Sequence, residues 1–215
     1  ELVIGYVIRM IYLDHAAATP LDPRVLSKMT PFLNEQCANP SSPHSLGRKA
    51  RAAIDNARAD IAKILQCKAE EIIFTSGGTE ANNLAIVGLA EAHKNKGNHI
   101  VTTAIEHHSI LEPCRQLELR GFKVTYIKPD PRGLISIENL KRALRPETIL
   151  VSIIYANNEI GVVQDIAAMG KLLQKKGIIF HTDACQAAGL LPISIKDLCV
   201  DTLTLNAGKI YGPKG

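Results

Sequence analysis

The sequence predicts an α/β fold: a mostly parallel sheet flanked by helices on both faces. Three observations lead there. From Ile72 to Leu205, short β-branched runs alternate with stretches whose apolar residues recur at helical spacing. The strand candidates are continuously apolar, the pattern of strands buried on both faces and not of strands with one wet side. A glycine-bearing turn, Thr75-Ser76-Gly77-Gly78-Thr79-Glu80, links one such run directly to a helix, as βα units require.

In chain order, Ile11 to Leu13 reads as a short strand and DHAAATP as a tight loop closed by Pro20. Pro23 opens a helical segment through Phe32, and NPSSP interrupts the chain. Ser42 as N-cap, with Pro43 at the first helical position, predicts the start of a long helix. In it Leu46, Ala50, Ile54, Ala57, Ile61 and Leu65 form the face expected to pack on a core. Ile72 to Phe74 is the next strand, followed by a helix carrying Ala81, Leu84, Ala85 and Gly88 on one face. Strands are then expected at residues 100–102, 124–127, 149–154, 178–180 and 200–205, with helices at 110–120, 137–144 and 166–176 between them.

At 215 residues, 46% hydrophobic and 21% charged, the composition is that of an ordinary globular chain of one large or two small domains. The net charge of +4 is spread without a basic block, so nothing points to nucleic acid or to a membrane surface. Five cysteines form no CxxC pair and leave an odd count, which fits a reducing, cytoplasmic setting. Residues 1–9 are apolar but too short to span a bilayer and lack a small-residue cleavage site. They read as an upstream extension, with the domain proper at 10–215.

In a parallel sheet, functional residues gather at the carboxyl ends of strands. Lys209 follows the run Val200 to Leu205 in a turn of small residues, and Asp183 ends the run from Ile178, with Gln186 three positions on. Taken singly, both are ordinary surface charges. Together at adjacent strand ends, an amine and a carboxylate suit pyridoxal 5'-phosphate: the lysine forms a Schiff base, and the carboxylate keeps the ring nitrogen protonated so that the ring withdraws electrons. The Gly77-Gly78 turn exposes N–H groups at the positive end of a helix dipole, a phosphate site to which Thr79 can add a hydroxyl. No GK[ST] follows, which excludes a Walker loop. Glu106-His107-His108 could suggest a metal, but adjacent histidines do not converge on one ion easily and no other ligand cluster accompanies them.

Seven stretches carry a resemblance: YLDHAAATP at 12–20, NPSSPHS at 39–45, TSGGTEANNLAI at 75–86, EHHSIL at 106–111, NNEIGVVQDI at 157–166, HTDACQAAG at 181–189 and GKIYGPKG at 208–215. In order and spacing the chain resembles the cysteine desulfurases of the class V aminotransferase group, pyridoxal phosphate enzymes of the type I fold. The resemblance implies that Lys209 binds the cofactor and moves the substrate's α-proton with His107 assisting, and that His107 stacks on the cofactor ring. It further implies that Asp183 holds the ring nitrogen, Gln186 bonds the phenolic oxygen, Gly78 and Thr79 hold the phosphate, and Asn158 holds the substrate carboxylate. Asn206, Ala207 and Gly208 depart from the family's serine and histidine before the lysine; Asn206 is expected to replace a phosphate donor and Gly208 to offer its N–H.

The implied reaction removes sulfur from L-cysteine, giving L-alanine and an enzyme persulfide destined for iron–sulfur assembly or tRNA thiolation. The implied partners are a second copy in a homodimer and a sulfur-acceptor or iron–sulfur scaffold protein. The family continues past the lysine motif with a last strand and a small C-terminal domain bearing the sulfur-accepting cysteine. None of the five cysteines here takes that place, so residues 10–215 are expected to be a partial large domain, inactive alone. Selenocysteine lysis, transamination and a non-catalytic truncated paralogue are the other readings.

Overall fold

The structure, a computed structural model, describes residues 11–214. Its centre is a five-stranded sheet in the order β2-β1-β3-β4-β5, formed by β1 (His99–Thr103), β2 (Lys123–Ile127), β3 (Thr148–Ser152), β4 (Ile179–Asp183) and β5 (Thr202–Thr204). Every neighbouring pair is parallel. Helices connect the strands, as parallel neighbours demand a crossover. These are α4 (His108–Leu119), α5 (Ile137–Ala143), α6 (Ile166–Lys176) and α7 (Ile195–Leu198), preceded by α1 (Pro23–Leu33), α2 (Ser45–Leu65) and α3 (Gly78–His93), which leads into β1.

Strand periodicity divides the core in two. Ile100 and Leu150 face α3 and α4, where they meet Ile86, Ala90, Ile110 and Leu117. Their neighbours Val101 and Val151 face the other side, against Leu140, Met169, Leu173 and Phe180. The predicted sheet covered on both faces is therefore present. The strand order reverses between β1 and β3, so the loops leaving their carboxyl ends diverge and open a crevice.

Five local expectations are corrected. Ile11 to Leu13 forms no strand: the segment is exposed and unpaired, and the Tyr12 hydroxyl instead donates to the carbonyls of Asp14 and Ala18. Ile72 to Phe74 is extended but joins no strand of the sheet, which leaves Ile73 69% exposed. The N-cap of α2 is His44, whose ring nitrogen accepts from Gly47 N–H, and not Ser42. Gly47 lies so close to Ser42 that a Cβ there would meet the Ser42 carbonyl at 2.3 Å, which places Ser42 beside the first turn instead of at its head. The buried residues of α2 are Gly47, Ala50, Ala62 and Leu65, while Leu46 and Ile54 of the expected face are exposed. The inward face of α3 is likewise Gly78, Asn82, Ile86 and Ala90, one i, i+4 stripe, with Leu84 exposed.

Two glycines separate packing from propensity. On Gly170 of α6 a Cβ would sit 2.2 Å from Leu198 O and 2.6 Å from Cys199 O, so α6 approaches the end of α7 by backbone contact. On Gly88 of α3 a Cβ meets nothing within 4 Å. Gly170→Ala is expected to destabilise the fold by about 2 kcal/mol, through overpacking against immovable backbone. Gly88→Ala is expected to stabilise it by roughly 0.5–1 kcal/mol, because alanine loses less backbone freedom in a helix. Urea denaturation of the two variants checks the pair.

Candidate active site

Asp183 is the last residue of β4 and is 4% exposed. Its Oδ1 accepts Cys185 N–H at 2.9 Å and its Oδ2 accepts Asn82 Nδ2 at 2.7 Å, so both oxygens are held and the carboxylate plane is fixed. β5 pairs with β4 so that Thr204 lies opposite Asp183. From there Asn206 caps a single 3-10 turn, Ala207–Lys209. The turn is clasped from outside by the loop before α1: Thr19 Oγ1 donates to Gly208 O at 3.0 Å and accepts Tyr211 N–H at 2.8 Å. Lys209 Nζ donates to Ala16 O at 2.5 Å and Ala17 O at 2.7 Å, and Gln186 Nε2 donates to the same Ala16 carbonyl at 2.8 Å. The structure thus brings Lys209 and Gln186 together on one carbonyl.

The N-terminus of α3 forms the other wall. The α-helices α1, α2, α4, α5, α6 and α7 each receive a side-chain cap, from Asp22, His44, His107, Ser136, Asp165 and Ser194. α3 receives none. Its first-turn N–H groups are left for something else, at the end of the helix where the dipole favours an anion. A Cβ on Gly78 would lie 3.0 Å from Cys185 Sγ and 3.3 Å from Asn206 Nδ2, so any side chain there would push both neighbours back by a few tenths of an ångström. Asn206 Nδ2 therefore points to the head of α3. Gly208 does not offer its N–H as expected, because Asn206 Oδ1 accepts it at 3.0 Å. Thr79 is exposed in the same first turn.

Beyond β1, the crevice holds Glu106 and His107. His107 is exposed and caps α4, its Nδ1 accepting Ser109 N–H at 3.1 Å. Glu106 is buried, and its Oε1 accepts the Thr103 hydroxyl at 2.6 Å and Ile154 N–H at 2.9 Å. Burial pushes its carboxyl up to about 8, a shift that the Thr103 and Ile154 bonds oppose and the nearby Asp183 charge adds to. His181, bridging Ser152 and Thr204 inside the sheet, is pushed down to about 4 by burial. Asn158 is not brought to this cluster by any hydrogen bond; its Nδ2 donates to Glu159, while Asn157 is the residue that ties the β3 loop to Ile105 O.

The amine, the carboxylate, the uncapped helix and the glycine cradle match the three ends of pyridoxal phosphate: aldehyde carbon, ring nitrogen and phosphate. Among the described residues no group of three or more His, Cys, Asp and Glu side chains could hold a metal ion, and no helix is long and apolar enough to cross a membrane. A cavity of about 600 Å3 lies at the opposite end of the sheet, lined by His93, Lys96, Lys141, Arg145 and Lys176. Three of these stand in the last turns of α3, α5 and α6, where cations complement the negative helix ends.

Residues 11–215 match the family described as aminotransferase class-V. The chain belongs to that family. It is 51% identical over 207 residues to a protein named cysteine desulfurase IscS from Dictyoglomus turgidum, covering 96% of this chain and 52% of that protein. It is 52% identical over 205 residues to a putative cysteine desulfurase IscS 1 of Bacillus subtilis, covering 95% and 54%. Among solved structures, SspA in complex with cysteine superposes with a TM-score of 0.93 at 44% identity, over 96% of this chain and 59% of that one. A NifS-like protein gives 0.93 at 39% identity, over 95% and 57%. The chain spans about half the length of the relatives it matches.

Sequence reasoning missed Asn82, Ser109 and Thr19, all buried polar residues of the site. For Asn82 a signal existed: the i, i+4 stripe of Gly78, Asn82, Ile86 and Ala90 is otherwise small or apolar.

Glu106 gives the site a measurable pH dependence. Its folded value of about 8 lies above the ordinary carboxylate value of 4.5, so the folded state holds a proton that the unfolded state has already lost. Its contribution is therefore fully present below the ordinary value and is lost as pH rises through about 8. Glu106→Gln keeps an acceptor for Thr103 and Ile154 and removes the titration. The variant is expected to gain thermal stability relative to the native chain as pH rises across that window, by a few degrees at pH 8.5. A difference in melting temperature that does not change with pH would contradict it.

Proposed function

We propose that this chain is the cofactor-binding portion of a pyridoxal phosphate-dependent cysteine desulfurase, taking sulfur from L-cysteine and leaving L-alanine. One observation carries the reading: Lys209 and Asp183 follow adjacent parallel strands, beside a helix N-terminus that no side chain caps. The family and the names of its relatives support it. Lys209 would hold the cofactor's aldehyde carbon, Asp183 the ring nitrogen, Gln186 the phenolic oxygen, and Gly78, Thr79 and Asn206 the phosphate, with His107 against the ring. Bound there, pyridoxal phosphate supplies an electron sink for charge developing at the substrate's α-carbon.

The chain's own residues do the rest. The Lys209 amine takes the α-proton, and the Ala16 and Ala17 carbonyls receive its N–H groups and hold it on that side of the crevice. His107 is fixed through Nδ1, which leaves Nε2 as its atom for handling a proton. Asn158, in the loop after β3, takes the substrate carboxylate. Sulfur transfer needs a thiolate: it attacks the substrate sulfur, the C–S bond breaks with its electron pair left on carbon, and a protein persulfide and alanine result. Cys114 and Cys185 do not suit this role. Burial pushes the Cys114 thiol up to about 12 and the Cys185 thiol higher still, so neither ionises readily. The family's pattern would place the accepting thiol after the lysine motif, a place that none of the five cysteines takes, and the reading is of a homodimer in the cytoplasm that passes sulfur to an acceptor or iron–sulfur scaffold protein.

The chain given pyridoxal phosphate is expected to develop a visible absorption band that Lys209→Ala abolishes, with borohydride fixing the cofactor on the Lys209 peptide. Labelling of Lys214 in its place would refute the assignment. Asp183→Asn is expected to keep the band but to slow α-proton exchange of bound amino acids by at least about tenfold, as the loss of a charge partner for the ring nitrogen implies.

A further inference from the structure

Among the buried polar residues, Asn82 stands out by position and by wiring. It occupies the core stripe of α3, where an apolar residue would pack at lower cost, and its own Oδ1 is buried without a partner among the described residues. What keeps an amide there is its Nδ2, which lies 2.7 Å from Asp183 Oδ2 and 2.8 Å from Ser109 Oγ. The orientation of the amide is decided by chemistry: turned over, it would set two acceptor oxygens against each other at the Asp183 contact.

The direction of every other bond then follows. Asn82 Nδ2 can only donate, so Ser109 Oγ accepts from it and keeps one hydrogen to give. The atom in reach is His107 Nδ1, at 2.8 Å. Ser109 N–H points at the same nitrogen from 3.1 Å. A nitrogen facing two donors carries no proton, and a neutral His107 ring must carry its proton on Nε2.

We propose that Asn82 is a positioning residue that links Asp183 to His107 through Ser109, fixing the carboxylate's rotation and the histidine's tautomer with one amide. It rests on the reading that Asp183 and His107 serve one site, and it deepens that reading by naming what holds them in register. Asn82 touches neither substrate nor cofactor; it acts through its two partners. A change at the carboxylate is transmitted to the imidazole along three hydrogen bonds, and Nε2 of the exposed His107 enters the crevice as a donor.

The test is made on the 15N-labelled chain without cofactor, at a pH that keeps imidazoles neutral, by long-range 15N–1H correlation of the histidine rings. Native His107 is expected to show a bare Nδ1 and a protonated Nε2. Ser109→Ala and Asn82→Leu are each expected to lower the ratio of the two tautomers by about fivefold, the effect of one hydrogen bond of ordinary net strength. Ser109→Thr, which keeps the hydroxyl, is expected to retain the native ratio. In Ser109→Ala one Asn82 amide proton should also exchange faster with solvent while the other, on Asp183, stays protected. A native ring protonated on Nδ1, or a ratio unmoved by Ser109→Ala, would overturn the proposal, and that small truncation keeps the test decisive if Asn82→Leu fails to fold. Because no cofactor is present, a failure of the Lys209 assignment leaves this result untouched, and the reverse holds as well.

Discussion

The parallel pairing of β4 with β5 is the constraint on which the site depends. Thr202, Leu203 and Thr204 lie opposite His181, Thr182 and Asp183, so the chain leaves both strands at the same level and the two following turns face one another. A strand of three residues at a sheet edge forms few ladder bonds, and side chains reinforce it. Asp201 Oδ2 accepts Phe180 N–H at one end, His181 Nε2 meets Thr204 Oγ1 within the sheet, and Ala184 N–H donates to Thr204 O at the other end. His181 is thus a structural histidine. Its low proton affinity keeps the ring neutral, so that it can bridge Ser152 and Thr204 without placing a charge beside Asp183.

Beyond the last residue of β5 the chain has no ladder to follow, and the loop from Asp14 to Asp22 supplies the missing restraint. Thr19 uses its hydroxyl as both donor and acceptor across the 3-10 turn, and Asp22 N–H donates to Tyr211 O. Tyr211 sits in a left-handed conformation at φ 62°, a shape that a non-glycine residue holds only when its surroundings fix it. These bonds hold the turn from both sides. The amine of Lys209 can then be directed onto two carbonyls of the same loop, and a long, flexible side chain becomes a placed one.

How much of this was legible in the sequence depends on what each signal reports. Runs such as Ile149 to Ile154 and Ile178 to Phe180 foretold strands because a parallel strand buried on both faces is apolar throughout. The same signal failed at Ile72 to Phe74. Apolar character reports a wish for burial, whereas a strand also needs a neighbour, and within the described residues this segment has none. In α2 and α3 the helical period was legible, and Ala50 and Leu65 of the expected α2 face are buried, but the buried stripes also take in Gly47, Gly78 and Asn82, whose small or polar type gives no signal of burial. That Asp183 ends one strand, and that Gln186 and Lys209 stand in the turns after β4 and β5, was legible from the apolar runs before them. The departure at Asn206 was legible as a difference but not in its effect: its amide oxygen takes the Gly208 N–H that the sequence seemed to offer.

The two ends of the sheet differ in charge logic as much as in shape. In a fold of parallel strands and crossover helices, helix N-termini collect where strands end and C-termini where strands begin. At the beginning of the strands, His93, Lys141, Lys175 and Lys176 stand in the last turns of α3, α5 and α6 and offset the negative helix ends. The large basic cavity there is already accounted for by that compensation. Six helices each have one first-turn N–H accepted by the side chain of the N-cap residue, and α3, whose head lies beside the ends of β4 and β5, has none. Glu80, the one acidic residue of its first turn, bonds back to Ser76 N–H and does not cap the donors of Gly78 and Thr79. An anion bound there would meet open N–H groups beside the Asn206 amide, one helical turn from Asn82, which with Cys185 holds the oxygens of the Asp183 carboxylate. A helix end that favours an anion and a carboxylate fixed from the next turn of the same helix would, on the proposed function, orient a bound group with a phosphate at one end and a basic nitrogen at the other before any lysine reacts with it.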